Sequence, residues 1–220
     1  MAGGPRVIAY KFLRDGQVGP FSGVPWPPAG EWLQATEVGD CARACLGRVH
    51  ACRVEDLPEW MDHELWRVEL DGHVTVDCGK LIADRGRLVE RVEVWDAALM
   101  AAFAEACALR ARDAALTVLA PGSPAHCGLA SCHAAEDLAA ACVQLTDLDP
   151  DGERAAGYAG DAARHVLGAV AEPSTAPIHA AVNGFIAAHA AAFAENDLGA
   201  AERERAWQAD WLARRLEITA

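Results

Sequence analysis

Positive charge is scarce in this 220-residue chain: 19 lysines and arginines stand against 32 aspartates and glutamates, a formal net charge of −13. Such a surface repels phosphate backbones and anionic headgroups, which argues against nucleic-acid binding and against a membrane-surface role. Long apolar runs are missing too. One of the two longest stretches without Asp, Glu, Lys or Arg, Pro173 to Ala194, has 22 residues but contains His179, Asn183, Gly184 and His189 and is rich in alanine. Its length would suit a bilayer; its weak hydropathy suits a buried bundle helix. From Met1 to Gly16 no apolar core precedes Lys11 and Arg14, so no secretory leader is expected and the expected location is the cytoplasm. Walker, GxGxxG, GxSxG and HExxH motifs are all absent, which disfavours the common nucleotide-binding, α/β-hydrolase and zinc-protease mechanisms.

Hydrophobic residues make up 52% of the chain and charged residues 23%, enough apolar side chain for a real core. The composition changes near Trp95-Asp96. Residues 1–96 hold five of the seven tryptophans and only eight alanines, whereas residues 97–220 hold 40 alanines. The expected fold class is therefore α+β: a small, mainly β domain over 1–96 followed by an alanine-rich helical bundle over 97–220. Two domains, or one domain with a β layer and a helical layer, fit this change equally.

In the first part, Val7–Leu13 reads as a strand ended by Asp15-Gly16. Pro20, Pro25, Pro27 and Pro28 exclude a helix and imply an ordered loop packed by Phe21 and Trp26. Leu65–Leu70 alternates, Asp71-Gly72 turns and His73–Val76 resumes, the pattern of a hairpin. Leu88–Val94 supplies another strand, and Val54–His63 a short helix begun by Glu55 and Asp56. In the second part, helices are expected over Ala97–Leu119, His133–Leu145, Gly152–Ala171, Thr175–Glu195 and Ala200–Leu216, with Ser174 and Asp197 as N-caps. Alanine faces let helices approach closely, which suits a bundle.

The eight cysteines (Cys41, Cys45, Cys52, Cys78, Cys107, Cys127, Cys132 and Cys142) are read as reduced thiols, several of them core residues. His50 and Cys52 lie two apart, which on a strand puts both on one face, where an imidazole can help a thiol become a thiolate. Tyr10, Lys11 and Glu69 are candidate polar partners, and Trp26, Trp60 and Trp66 candidate apolar walls. The alternative is a buried Cys52 packing as a small hydrophobe beside a turn-capping His50. Two sets carry zinc-ligand atoms, Cys41/Cys45 with His50/Cys52, and His126-Cys127 with Cys132-His133; neither has the usual spacing of two tight pairs, and no metal or other cofactor is expected. Glu55, Asp56, Glu59, Asp62, His63 and Glu64 form an acidic cluster that reads as a solvated face. His179 and Asn183 share a helix face and are placed to reach Tyr158, Asp161 or His165 across the bundle.

The segment Cys45-Leu-Gly-Arg-Val-His50-Ala51-Cys52, with Trp66-Arg-Val-Glu69-Leu-Asp-Gly72 and Lys80-Leu-Ile-Ala83, resembles an uncharacterised bacterial and phage domain family carrying a Cys-x-x-G-x-His-Ala-Cys type motif. Gly47 stands two places before Val49, a small departure from that pattern. The resemblance spans roughly Val7 to Val94 and implies no settled activity. Ala101–Cys107 and Glu204–Leu212 are similar to alanine-rich helical proteins labelled as immunity proteins.

The function expected is a small cytosolic bacterial enzyme, in the manner of specialised metabolism, working on a small molecule in a pocket of the β-rich part. His50, Cys52 and Glu69 are its candidate catalytic residues, and Tyr10, Lys11, Trp26, Trp60 and Trp66 its candidate substrate-binding residues. The alternative is an immunity-type or scaffold protein whose acidic helical surface docks a basic protein partner. A homo-oligomer is compatible with either.

Overall fold

The computed structural model describes residues 6–35 and 47–218. The fold is α+β, with a β-rich region followed by a helical one. The chain divides into two compact units, one of residues Met1–Asp96 with Leu212–Ala220 and the other of Ala97–Trp211.

The first unit contains strands β1 (Val7–Leu13), β2 (Leu33–Gln34), β3 (Val49–Ala51), β4 (Glu64–Asp71), β5 (Thr75–Asp77), β6 (Lys80–Ala83) and β7 (Arg85–Arg91). They form two antiparallel sheets, ordered β1-β4-β7-β2 and β3-β6-β5. A bridge between Tyr10 and Cys52 joins the β1 edge of one sheet to the chain just beyond β3 of the other. Alternation fixes which side chains meet between them: Ala9 and Leu13 on β1, Val49 and Ala51 on β3, and Val68 and Leu70 on β4 share one core with Trp26.

The expected hairpin between Leu65–Leu70 and His73–Val76 does not form. β4 pairs with β1 and β7, whereas β5 pairs with β6. The turn itself is present, with Gly72 at φ +84, but it hands the chain to the second sheet. Asp84 holds it there by accepting the His73 backbone N–H at 2.8 Å, packed where a Cβ on Gly72 would fall. The local hairpin is β5–β6, closed by Cys78 and Gly79, both with positive φ as a two-residue type I′ turn requires. Cysteine is an unusual first residue for that turn, which hid it from turn-based reading.

The proline-rich loop is ordered as expected, with bridges Arg14–Val18 and Val18–Pro25 and the Trp26 backbone N–H donated to Gln17 at 2.9 Å. Trp26 packs inward. Phe21 does not: it is 81% exposed and meets Trp60 edge-to-face with ring centroids 5.9 Å apart. The segment expected as a short helix is a 3-10 stretch, Val54–Glu59, with Pro58 inside it.

The helices are α1 (Ala97–Val118), α2 (Pro124–Ala130), α3 (Ala135–Val143), α4 (Pro150–Ala171), α5 (Ala176–Glu195) and α6 (Leu198–Leu216). Five match the expected segments to within a few residues. The sixth, α2, replaces the loop expected after Pro124: Ser123 accepts the His126 backbone N–H at 3.2 Å, and Pro124 is pre-set for the first turn. Asp149 caps α4 in the same way, at 2.7 Å to the Gly152 N–H. Asp197 precedes α6 and accepts from Gly199, but Ser174 caps nothing, because Thr175 is the residue before α5 and makes no side-chain cap.

Alanine carries the helical core, where Ala104, Ala108, Ala111 and Ala115 of α1 meet Ala155, Ala159, Ala162 and Ala163 of α4. Most of the polar groups admitted to it are bonded, though the Asn183 side-chain oxygen has no partner among the described residues. The Asn183 amide nitrogen donates to the carbonyls of Ala104 and Ala162, both at 3.0 Å, tying α5 to α1 and α4. Glu204, 2% exposed, pairs with Arg110 at 2.6 Å. Arg110 also lies over the Trp207 ring, and Trp211 packs edge-to-face on Phe103. Among the described residues no helix is long and apolar enough to cross a membrane.

Candidate functional site

The first unit contains a cavity of about 400 Å³, within the range of small-molecule sites. Strand β1 contributes Tyr10, Lys11 and Phe12, and the run Gly47–Cys52 forms a second wall. The proline-rich loop adds Phe21 and Trp26, and Trp60 and Lys80 are also part of the lining. Trp60 is held from below: its indole N–H donates to the carbonyl of Gly79, in the type I′ turn, at 2.8 Å.

Of the eight site residues expected from the sequence, the cavity gathers six: Tyr10, Lys11, Trp26, His50, Cys52 and Trp60. Two lie elsewhere. Glu69 is 6% exposed and clasped by Arg6 at 2.9 Å and by Arg87 at 2.5 Å, so its carboxylate is already spent on two guanidiniums. Trp66 belongs to the core between the sheets and donates its indole N–H to Glu64 at 2.9 Å.

Cys52 borders the cavity without the chemistry expected of it. It is 3% exposed, its Sγ donates to the Tyr10 carbonyl at 3.4 Å, and burial pushes its thiol up to about 12. Lys11 pulls the other way, and the carboxylates of Asp56, Glu55 and Glu59 add to the rise. Burial of this kind disfavours the thiolate. The geometry favours the alternative reading, Cys52 as a small buried hydrophobe, here with a bonded S–H, over a Cys52 thiolate.

Lys11 shows the converse effect. Burial lowers its ammonium to about 8, against partial compensation from Cys52 and Asp62. It makes no ion pair or hydrogen bond with any described residue, so a substantial fraction is free amine at mildly alkaline pH. Tyr10 is raised above the ordinary phenol value by burial, against Arg67, and remains a hydrogen-bond donor.

The cavity carries a charge bias opposite to that of the whole chain. Its cationic lining residues are Lys11, Arg48 and Lys80, with His50 beside them, and no aspartate or glutamate lines it among the described residues. Arg48 is paired with Asp84 and Lys80 lies 3.9 Å from Asp77. Sequence reasoning left Arg48 and Lys80 out of the site. A signal for Lys80 was available in composition: the chain has 17 arginines and only two lysines, Lys11 and Lys80, and both line this cavity.

No group of three or more metal-ligating side chains comes together among the described residues. On α2, Cys127 is exposed, whereas Cys132 is buried and donates to the Gly128 carbonyl at 3.3 Å. Cys41 and Cys45 lie outside the described residues. The acidic cluster is consumed locally, Glu55 and Asp56 by Arg53, Asp62 by His63 and Glu64 by Trp66. His179 does reach across the bundle, to His165, with the two Nδ1 atoms 2.8 Å apart.

Compared with protein-family models, curated proteins and solved structures, the chain matches none, and the functional reading rests on the cavity itself.

Proposed function

We propose that the cavity of the first unit is an enzyme-type site for a small organic anion with an aromatic or apolar body. Its working polar groups on this reading are Lys11 and His50, with Cys52 as packing. The observation that carries the reading is the lining: aromatic residues Trp26 and Trp60 and, among the described residues, three cationic side chains and no carboxylate, inside a chain of net charge −13. A ligand charge inside such walls is screened less than at the surface, so cations there favour anions strongly over isosteric neutral or cationic molecules.

The test uses tryptophan fluorescence, since Trp26 and Trp60 line the cavity. The chain is titrated with p-methylbenzoate, p-methylbenzamide and p-methylbenzylamine, which share size and shape and differ in charge. The anion is expected to bind at least about tenfold more tightly than the amide, roughly 1.4 kcal/mol, and the amine not to bind. Equal affinity for all three, or preference for the amine, overturns the reading.

A further inference from the structure

We infer that Lys11 is a carbonyl-capturing amine: the ligand is an organic anion that also carries an aldehyde or ketone, and its carbonyl carbon condenses with Lys11 Nζ. This rests on the anion-site reading above and adds a reaction to it. Two observations carry it. A chain that meets its need for cations with 17 arginines places both of its lysines on one cavity. Arginine and lysine both supply positive charge, but only the lysine amine sheds its proton within reach of physiological pH and becomes a nucleophile. Lys11 is also the cation of the lining with no carboxylate at ion-pair distance among the described residues, whereas Arg48 has Asp84 and Lys80 has Asp77 nearby. Its ammonium, partly buried on β1, is accordingly displaced towards the free amine.

The step balances without an oxidant or reductant. The Nζ lone pair forms a C–N bond to the carbonyl carbon, and the π electrons move to the carbonyl oxygen, giving a carbinolamine. Loss of that oxygen as water then leaves the imine, which takes up one proton. From the ammonium form the sum is ammonium plus carbonyl giving iminium plus water, with no net change of charge. The His50 residue lines the same cavity and is the candidate proton donor for the departing oxygen. Arg48 and Lys80 provide positive charge for the carboxylate.

The chain is incubated at pH 8 with p-formylbenzoate and sodium cyanoborohydride, which reduces an iminium to a stable secondary amine. Intact-mass measurement and peptide mapping then locate the label. The result expected is one carboxybenzyl group per chain, on Lys11, formed at least tenfold faster than on Lys80 or the α-amino group. Excess p-methylbenzoate should slow it at least tenfold, and neutral benzaldehyde should label Lys11 at least tenfold more slowly. Lys80→Arg should still label at Lys11, and Lys11→Arg should take up no fast label while retaining the wild-type circular dichroism. Labelling of Lys80 or the α-amino group at a rate equal to that of Lys11 overturns the inference. If p-methylbenzoate binds but Lys11 stays unlabelled, the amine chemistry falls and the anion site stands. If p-methylbenzoate does not bind either, both fall.

Discussion

The backbones of Tyr10 and Cys52 exchange both of their hydrogen bonds, each at 2.8 Å, and the Cys52 thiol adds a third bond to the same Tyr10 carbonyl. That bridge joins the β1 edge of one sheet to the chain beyond β3, so Cys52 is a structural joint at the margin of the cavity. A thiol raised from 9.0 to about 12 has a thiolate fraction at neutral pH lower by about a thousandfold. Cys107, wholly buried and raised mainly by that burial, is expected to be inert as well. Iodoacetamide at pH 7.5 should therefore modify exposed Cys78 and Cys127 in the native protein and reach Cys52 and Cys107 only after denaturation, as read by peptide mapping. Native alkylation of Cys52 at the rate of Cys78 would contradict the burial described.

Much of the architecture could be read from local pattern, because alanine content and period mark helices wherever packing is repetitive. The helical segments emerged to within a few residues for that reason. What escaped were pairings decided at a distance. Asp71-Gly72 turns as its composition demands, yet nothing near it in sequence records that β4 is taken by β1 and β7. Likewise, Glu69 sits in a strand pattern that says it points away from the core, but not that Arg6 and Arg87 await it there. His50 and Cys52 were found together by their spacing of two. The exclusion of water from Cys52, which decides its chemistry, comes from β1 some forty residues earlier, and no local signal carries it.

Burial of the Lys11 ammonium has a cost that pH can reveal. Its folded value of about 8 lies below the ordinary lysine value of 10.5, so between these two the unfolded chain binds more protons and stability rises with pH. Below pH 8 both states are protonated and the cost is present in full. Lys11→Met removes it, and at pH 7 the variant should be more stable than the parent by up to about 3 kcal/mol. That advantage should shrink as pH is raised from 8 towards 10.5. Cys52 acts oppositely, costing stability above pH 9, but it is common to both proteins and largely cancels in their difference. Urea unfolding of the pair at pH 7.0, 8.5 and 10.0 gives the comparison. A destabilised Lys11→Met at pH 7 would show the ammonium to be favourably placed.

Gly79 links the second sheet to the cavity wall. It occupies the second turn position at φ +69, and a Cβ there would lie 2.8 Å from a Glu59 carboxylate oxygen, while its carbonyl holds the Trp60 indole. Gly79→Ala should destabilise the protein by about 1–2 kcal/mol from backbone strain alone. Because Trp60 is displaced with the turn, the variant should also bind p-methylbenzoate more weakly, by at least threefold. Calorimetric melting and the fluorescence titration read the two effects separately. Unchanged affinity with lowered stability would place Trp60 outside the ligand's contacts.

The contact between His165 on α4 and His179 on α5 makes the helical unit sensitive to acid. With their Nδ1 atoms 2.8 Å apart, one ring can donate only while the other accepts, and protonating both sets two donors and two charges against each other. His165 is held below the ordinary imidazole value, first by burial and then by His179; Arg164 reinforces the effect and Asp161 opposes it. A folded value of His165 below the unfolded 6.5 means that His165 costs nothing at pH 7.5 and removes stability as pH falls through 6.5. His165→Gln keeps a hydrogen-bonding group without a titratable ring. The difference in urea midpoint between pH 7.5 and pH 5.5 should therefore be smaller in His165→Gln than in the parent. Gly168→Ala offers an independent check, since its Cβ would fall 2.6 Å from the His179 ring and force that ring off its partner. It should lower stability by about 1–3 kcal/mol at pH 7.5 and blunt the further loss at pH 5.5. An equal acid-induced loss in all three proteins would show that the pair is not what titrates.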